Sequence, residues 1–233
     1  MTTAMHLSSQ LAVNVPDVRS PLTGSAGGTR TVVALDGSSL DGPAYLDVVD
    51  LARHAPAWLD DTVSAWSAYG LALFAVLMAV GWWQARRAGA AAAVMALAAP
   101  VAVVAAYGTN AALKLLVRED RPCRSLRAAT LEACPAPGDW SFPSNHAAIA
   151  AAAAVALFFV SRRLGACAAV AACAMAASRV WVGAHYPHDV LAGLVTGAAA
   201  ALLAMSSLRR GRAEAWAARL AATRLRPLLA ATP

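Results

Sequence analysis

The chain has 233 residues, 59% of them hydrophobic and only 14% charged, with a formal net charge of +6 and a mean hydropathy of +0.55. A soluble domain carries about 25% charged residues, so the composition excludes an ordinary soluble domain and points to an integral membrane protein with one membrane domain and short tails. The basic residues gather at the ends of apolar segments rather than along one polar face, which excludes a nucleic-acid binder and assigns the pI of 9.7 to membrane topology.

Residues 1–42 are rich in Ser, Thr, Gly and Asp and lack the apolar core of a signal peptide, which predicts a disordered extracytoplasmic tail. Residues 43–62, "GPAYLDVVDLARHAPAWLDD", mix apolar and acidic residues near helical period. They predict an amphipathic interfacial helix with Pro56 as a kink or break. Five apolar stretches follow, at 65–83, 88–112, 142–160, 164–182 and 190–208, each near the ~20 residues that cross a bilayer. The fold class is therefore all-α, a polytopic membrane helix bundle over residues 63–209. A basic tail at 210–233, with "AWAARLAATRLRPLL", suits an anionic inner leaflet. The third span is short unless it begins near the interface, which puts "FPSNH" at headgroup depth.

Arg86 and Arg87, Arg162 and Arg163, and Arg209, Arg210 and Arg212 follow the first, third and fifth spans. The positive-inside rule makes those ends and the C-terminus cytoplasmic. The acidic N-terminus, the 113–141 loop and the 183–189 turn then lie outside. Arg118, Arg121, Arg124 and Arg127 in the outer loop run against the rule, so their cations need another reason.

That reason lies in three clusters. The one lysine of the chain, Lys114, lies just past the second span, and Arg121 and Pro122 follow it. Alone, this lysine reads as a snorkelling anchor. Pro143 and Ser144 read as a helix start with Ser144 as N-cap, and a helix N-terminus suits an anion. Capping accounts for Ser144 and Asn145 but leaves His146 unexplained. Ser178 and Arg179 end the fourth span, and His185, His188 and Asp189 open the fifth, with Pro187 as its first helical residue. All three clusters fall on one side of the membrane. Packing the helices would gather Lys114, Arg121, Ser144, His146, Arg179, His185 and Asp189 around a multiply charged oxyanion, to which Arg gives bidentate contacts and Lys a point charge.

The motifs K-x6-R-P (Lys114, Arg121, Pro122), P-S-N-H (143–146) and S-R-x5-H-x3-D (Ser178, Arg179, His185, Asp189) resemble the three signatures of the type-2 phosphatidic acid phosphatase superfamily. The resemblance implies a phosphohistidine mechanism. His185 is then the nucleophile, Asp189 orients it, and His146 is general acid and then base. Lys114, Arg121, Ser144, Asn145 and Arg179 bind the phosphoryl oxygens. Asn145 stands where the family usually has Gly, and either keeps the same backbone or adds a side-chain donor. His188 lies outside the signature. The scheme needs no metal and no cofactor.

The order of elements, with "SFPSNHA" and "SRVWVGAHYPHDVLAG", is similar to bacterial undecaprenyl-diphosphatases of the bacitracin-resistance type. That resemblance implies a plasma-membrane enzyme with its site facing outside, releasing phosphate from undecaprenyl diphosphate. Phosphatidic acid or phosphatidylglycerophosphate are the alternative substrates, and a non-catalytic lipid-phosphate binding or transport protein is the alternative class. Cys123 and Cys134 flank "RSLRAATLEA" in the outer loop and pair as a disulfide if that side is oxidising, contributing roughly 3 kcal/mol by loop closure. Cys167 and Cys173 read as packing residues.

Overall fold

A computed structural model describes residues 37–208 and 210–229; residues 1–36 of the tail expected at 1–42 lie outside them. The elements are α1 (Gly37–Arg53), α2 (Ala57–Tyr69), α3 (Leu71–Ala88), α4 (Ala90–Val117), the single turn α5 (Pro122–Ser125), α6 (Asn145–Val160), α7 (Arg162–Trp181), α8 (Pro187–Ser207) and α9 (Arg210–Ala221), followed by a 3-10 turn at Arg226–Leu228. No strand occurs among the described residues, and the protein is an all-α membrane bundle.

α6 is the axis, with α3, α4, α7 and α8 packed around it. Its alanines at 147, 148, 150–154 and 156 are all buried. Such a helix has no polar face to show and is stable only when enclosed. One side meets Phe74, Ala168, Ala172 and Met175 of α3 and α7. The other meets Ala99, Ala102 and Ala106 of α4 with Ala201 and Met205 of α8. α8 comes closest to α6. A Cβ on Gly193 would stand 2.4 Å from the Ser144 carbonyl, and one on Gly197 would stand 2.1 Å from that of Ala148. Only the missing side chains of this small-xxx-small pair allow the approach.

By length and composition, α7, α8 and the run Ala90–Ser125 containing α4 can each cross a membrane. The first predicted span, 65–83, does not form one straight rod. It is divided between α2 and α3, which meet at a 53° bend and count as a fourth span only when taken together. The bend falls at Gly70, where a Cβ would stand 2.5 Å from the Trp66 carbonyl and 2.8 Å from Met175 Cε. α6, with 16 residues, rises about 24 Å against a hydrocarbon core of about 30 Å. Counting five spans rests on this short helix, whose neighbours enclose it.

Two further corrections concern the ends. Helix begins at Gly37, inside the stretch read as tail, and breaks at His54–Pro56, so residues 43–62 form parts of two helices. The inner stripe of α1, Gly42, Tyr45, Val49 and Ala52, is buried in protein. Tyr45 and Val49 pack with Val180, Tyr186 and Val190, and Tyr45 donates to the Gly183 carbonyl at 2.9 Å. At the other end α9 folds back on α4, burying Ala213 and Ala217 against Ala93 and Val94. Ala217 of the tail thus packs on a helix, while Trp216 and Leu225 stay exposed.

Candidate active site

The C-terminal ends of α4 and α7 and the N-terminal ends of α6 and α8 meet at one end of the bundle. α4 stops at Arg118, whose left-handed backbone (φ 52°) closes the helix. The chain then turns Glu119 and Arg121 inward, both almost fully buried. Residues 126–144 cross this end as an irregular loop, and Cys123 and Cys134 are joined by a disulfide at its base. At the junction with α6, the Ser144 N–H donates to the Asp189 carbonyl at 3.0 Å.

His185 sits in the turn between α7 and α8, 2% exposed. Its Nδ1 lies 3.4 Å from Asp189 Oδ2. Its Nε2 lies 3.2 Å from Arg121 Nη1. A guanidinium only donates, so Nε2 must carry the lone pair and Nδ1 the proton. Burial, more than the neighbouring guanidinium groups, holds the imidazole well below its ordinary value, and the Asp189 hydrogen bond works against that. The ring is therefore neutral at neutral pH, with Nε2 accepting from the Arg121 guanidinium. Asp189 is fully buried. Its Oδ2 also accepts from Ser141 Oγ and from the Tyr186 N–H at 2.9 Å. The helix start thus clamps this carboxylate.

Arg121 spans the cluster. It donates to the carbonyls of Ala184 (3.0 Å) and Asp139 (3.1 Å) and to Asp139 Oδ1 (2.9 Å). Lys114 lies in the last turn of α4, not beyond it. It donates to the Trp140 carbonyl and stands 4.0 Å from Asp139 Oδ1. Burial alone would push the Asp139 carboxyl up, but the Arg121 hydrogen bond and the charges of Arg121 and Lys114 hold it below the usual carboxylate range.

Arg179 and His146 line a second part of the site, a cavity of about 320 Å³ with Ser64, Ser67, Glu132 and Val182 on its walls. Arg179 bonds to Ser67 Oγ and pairs with Glu132 at 2.8 Å, while its carbonyl accepts the His185 N–H at 3.2 Å. Its Nε is buried without a hydrogen bond, as is Ser144 Oγ. Ser144 holds the N-cap position, but its hydroxyl caps nothing. Two buried groups able to donate to an anion are thus left unused. A larger cavity, about 650 Å³, lies at the opposite end of the bundle among Gly81, Ala85, Ala92 and Met95, with no imidazole or guanidinium of the described residues lining it.

The Asn145 side chain is engaged within the bundle. Its Oδ1 accepts from Asn110 Nδ2 at 2.7 Å. Asn110 in turn donates to the Pro143 carbonyl and accepts from Thr196 Oγ1. The side chain therefore ties α6 to α4 and α8. Sequence reasoning missed Ser141, Glu132 and Asp139, the partners of the functional cations and of Asp189. A loop carboxylate has no periodic signal; the nearness of Asp139 and Ser141 to "FPSNH" was the available clue.

The comparisons with known proteins agree on one family. Residues 93–212 match the PAP2 superfamily. The undecaprenyl-diphosphatase BcrC of Bacillus subtilis is 30% identical over 146 residues, covering 61% of this chain and 71% of that protein. An undecaprenyl-diphosphatase of Sulfolobus acidocaldarius is 42% identical over 67 residues, 27% of this chain and 31% of that protein. The lipid A 1-phosphatase of Rhizobium johnstonii is 49% identical over 67 residues, 27% of this chain and 26% of that protein. No solved structure matches. The chain belongs to the PAP2 superfamily.

Proposed function

We propose that this protein is a metal-independent lipid phosphatase acting through a phosphohistidine, with undecaprenyl diphosphate as substrate and undecaprenyl phosphate and phosphate as products. The observation that carries the reading is the buried line Asp189–His185–Arg121, in which the unprotonated Nε2 of His185 accepts from the guanidinium at 3.2 Å.

The terminal phosphoryl group binds Arg121, Lys114 and Arg179, displacing Asp139 and Glu132, with Ser144 Oγ as a further donor. Asn145 supports the backbone of this helix start rather than the phosphate. Nε2 attacks phosphorus; an N–P bond forms as the bond to the leaving oxygen breaks, and His146 donates a proton to that oxygen. Asp189 stabilises the positive charge on the ring. Water, deprotonated by His146, then cleaves the N–P bond and frees phosphate. Four of the helices that form the site run through the membrane bundle, so a lipid tail enters from the side while its phosphate stays at the polar end. The arginines at the opposite ends of the spans support a site on the outer face of the plasma membrane and a cytoplasmic C-terminus.

A phosphate-release panel on purified protein tests this, with undecaprenyl diphosphate, phosphatidic acid, phosphatidylglycerophosphate and a lipid A 1-phosphate. Undecaprenyl diphosphate is expected to turn over fastest. His185→Ala should lower kcat by at least roughly 10³-fold, and EDTA should leave the wild type unaffected. Preference for another lipid would replace the substrate, whereas full activity in His185→Ala would sink the mechanism.

A further inference from the structure

His188 belongs to none of the three motifs. It sits in the first turn of α8, between the His185–Asp189 pair and α1. Its backbone N–H donates to Asp41 Oδ2 at 2.7 Å, and its Nδ1 lies 2.8 Å from Asp41 Oδ1. Its Nε2 lies 3.1 and 3.2 Å from the two oxygens of Glu119 and 3.5 Å from Asp189 Oδ1. The rings of Tyr186 and Phe142 stack on it, with centroids 5.4 and 5.9 Å away. Three carboxylates from three parts of the chain thus converge on one imidazole. Ionised carboxylates only accept hydrogen bonds, and an imidazole donates from both nitrogens only when it carries two protons.

The Asp189 carboxylate completes the picture. Its Oδ2 serves His185, Ser141 and the Tyr186 N–H. Its Oδ1 is buried, makes no hydrogen bond and faces His188. In a dry site an oxygen without a partner costs free energy unless a donor or cation lies beside it, and a residue that orients a working group needs support of its own. The cluster is sealed by α1: a Cβ on Gly37 would stand 2.0 Å from Glu119 Oε1 and 2.8 Å from His188 Cε1.

We propose that His188 is a positioning residue, anchored by Asp41 and Glu119, that holds Oδ1 of Asp189 so that Oδ2 stays on His185, and that the seating of α1 is thereby a condition of full activity. The inference rests on the reading of His185 and Asp189 as the nucleophilic pair and extends it through His188 to Asp41, 147 residues before His188 in the chain.

The test compares full-length wild type, His185→Ala, His188→Ala, His188→Gln and Asp41→Asn in phosphate release from undecaprenyl diphosphate, with a thermal midpoint for each. His188→Ala is expected to lower kcat roughly 10- to 100-fold with KM within about twofold and the midpoint unchanged. His188→Gln, whose amide N–H can replace Nε2–H, restores part of the loss, and Asp41→Asn falls between it and the wild type. A wild-type kcat in His188→Ala overturns the proposal, and a wild-type kcat in Asp41→Asn overturns the part played by α1. Equal loss in both His188 variants with a matching fall in midpoint also overturns it, by showing a structural role only. Activity lost to EDTA and restored by Zn²⁺ in the wild type but not in His188→Ala overturns it in favour of a metal ion held by Glu119, His188 and Asp189. A wild type inactive on undecaprenyl diphosphate and on every other lipid of the panel removes the nucleophile reading and this inference together, whereas an active wild type with inactive His185→Ala and unaltered His188→Ala removes this inference alone.

Discussion

The middle of the bundle and its polar end solve opposite problems with the same helices. In the middle, α6 and α8 meet because side chains are absent, and Gly193 and Gly197 let backbone touch backbone. At the polar end, long charged side chains from α4, the loop after it and α7 gather beside the two helix starts. There Arg121, Lys114 and Arg179 pair with Asp139 and Glu132. The two regions touch at Ser144, whose carbonyl limits Gly193 and whose N–H bonds to the Asp189 carbonyl. The difference teaches that packing sets the distance between the two helix starts, while the charges determine what binds between them.

The comparison breaks most sharply at Arg121. Arg121→Ala should lower kcat/KM roughly 10²- to 10³-fold. The thermal midpoint should hardly move, because Asp139 is half-exposed and rehydrates once released. A large fall in midpoint would mean that the polar end carries the fold. Gly197→Val should do the reverse. Its side chain has no room against the Ala148 carbonyl, and overpacking of this kind costs about 1–3 kcal/mol. The midpoint drops while kcat per folded molecule stays near wild type; lost activity without lost stability would contradict the division.

The smallest effect sharpens the boundary. The carboxyl of Asp139 is held below its ordinary value in the folded chain, so its pairing stabilises the fold above the unfolded carboxylate pKa of about 3.9. That contribution disappears as pH falls through the lower folded value. Asp139→Asn should therefore melt slightly below wild type at pH 7 and converge with it in strong acid. The gap is small because the pair is half-exposed. A gap that widens in acid would reverse the sign.

Much of the site was legible because its chemistry is carried by rare residues in an apolar chain. A single lysine, a histidine at a helix start and "SRVWVGAHYPHD" stand out against alanine. The convergence of Lys114, Arg121, His185 and Asp189 follows from sidedness, since alternate helix ends must share a face. The engagement of Asn145 with Asn110, and through it with Thr196, on two other helices is something no local pattern reports. The same is true of Asp41, whose acidic residue in a surface-looking stretch reads as solvated until α1 is seen seated on His188. The bend at Gly70 was invisible because hydropathy continues through it.

Composition and the order of the three motifs determined by themselves that this is an all-α membrane bundle and which residue types gather at one end. Helices in lipid satisfy their own backbones, so apolar length alone is enough to predict them. Only the tertiary structure decided which carboxylate answers each cation, which nitrogen of His185 carries the proton, and that α1 packs its stripe on protein. Those outcomes depend on distances of a few ångströms between residues far apart in the chain. Such distances are set by how closely Gly193 and Gly197 let α8 approach α6, not by any one segment's own preference.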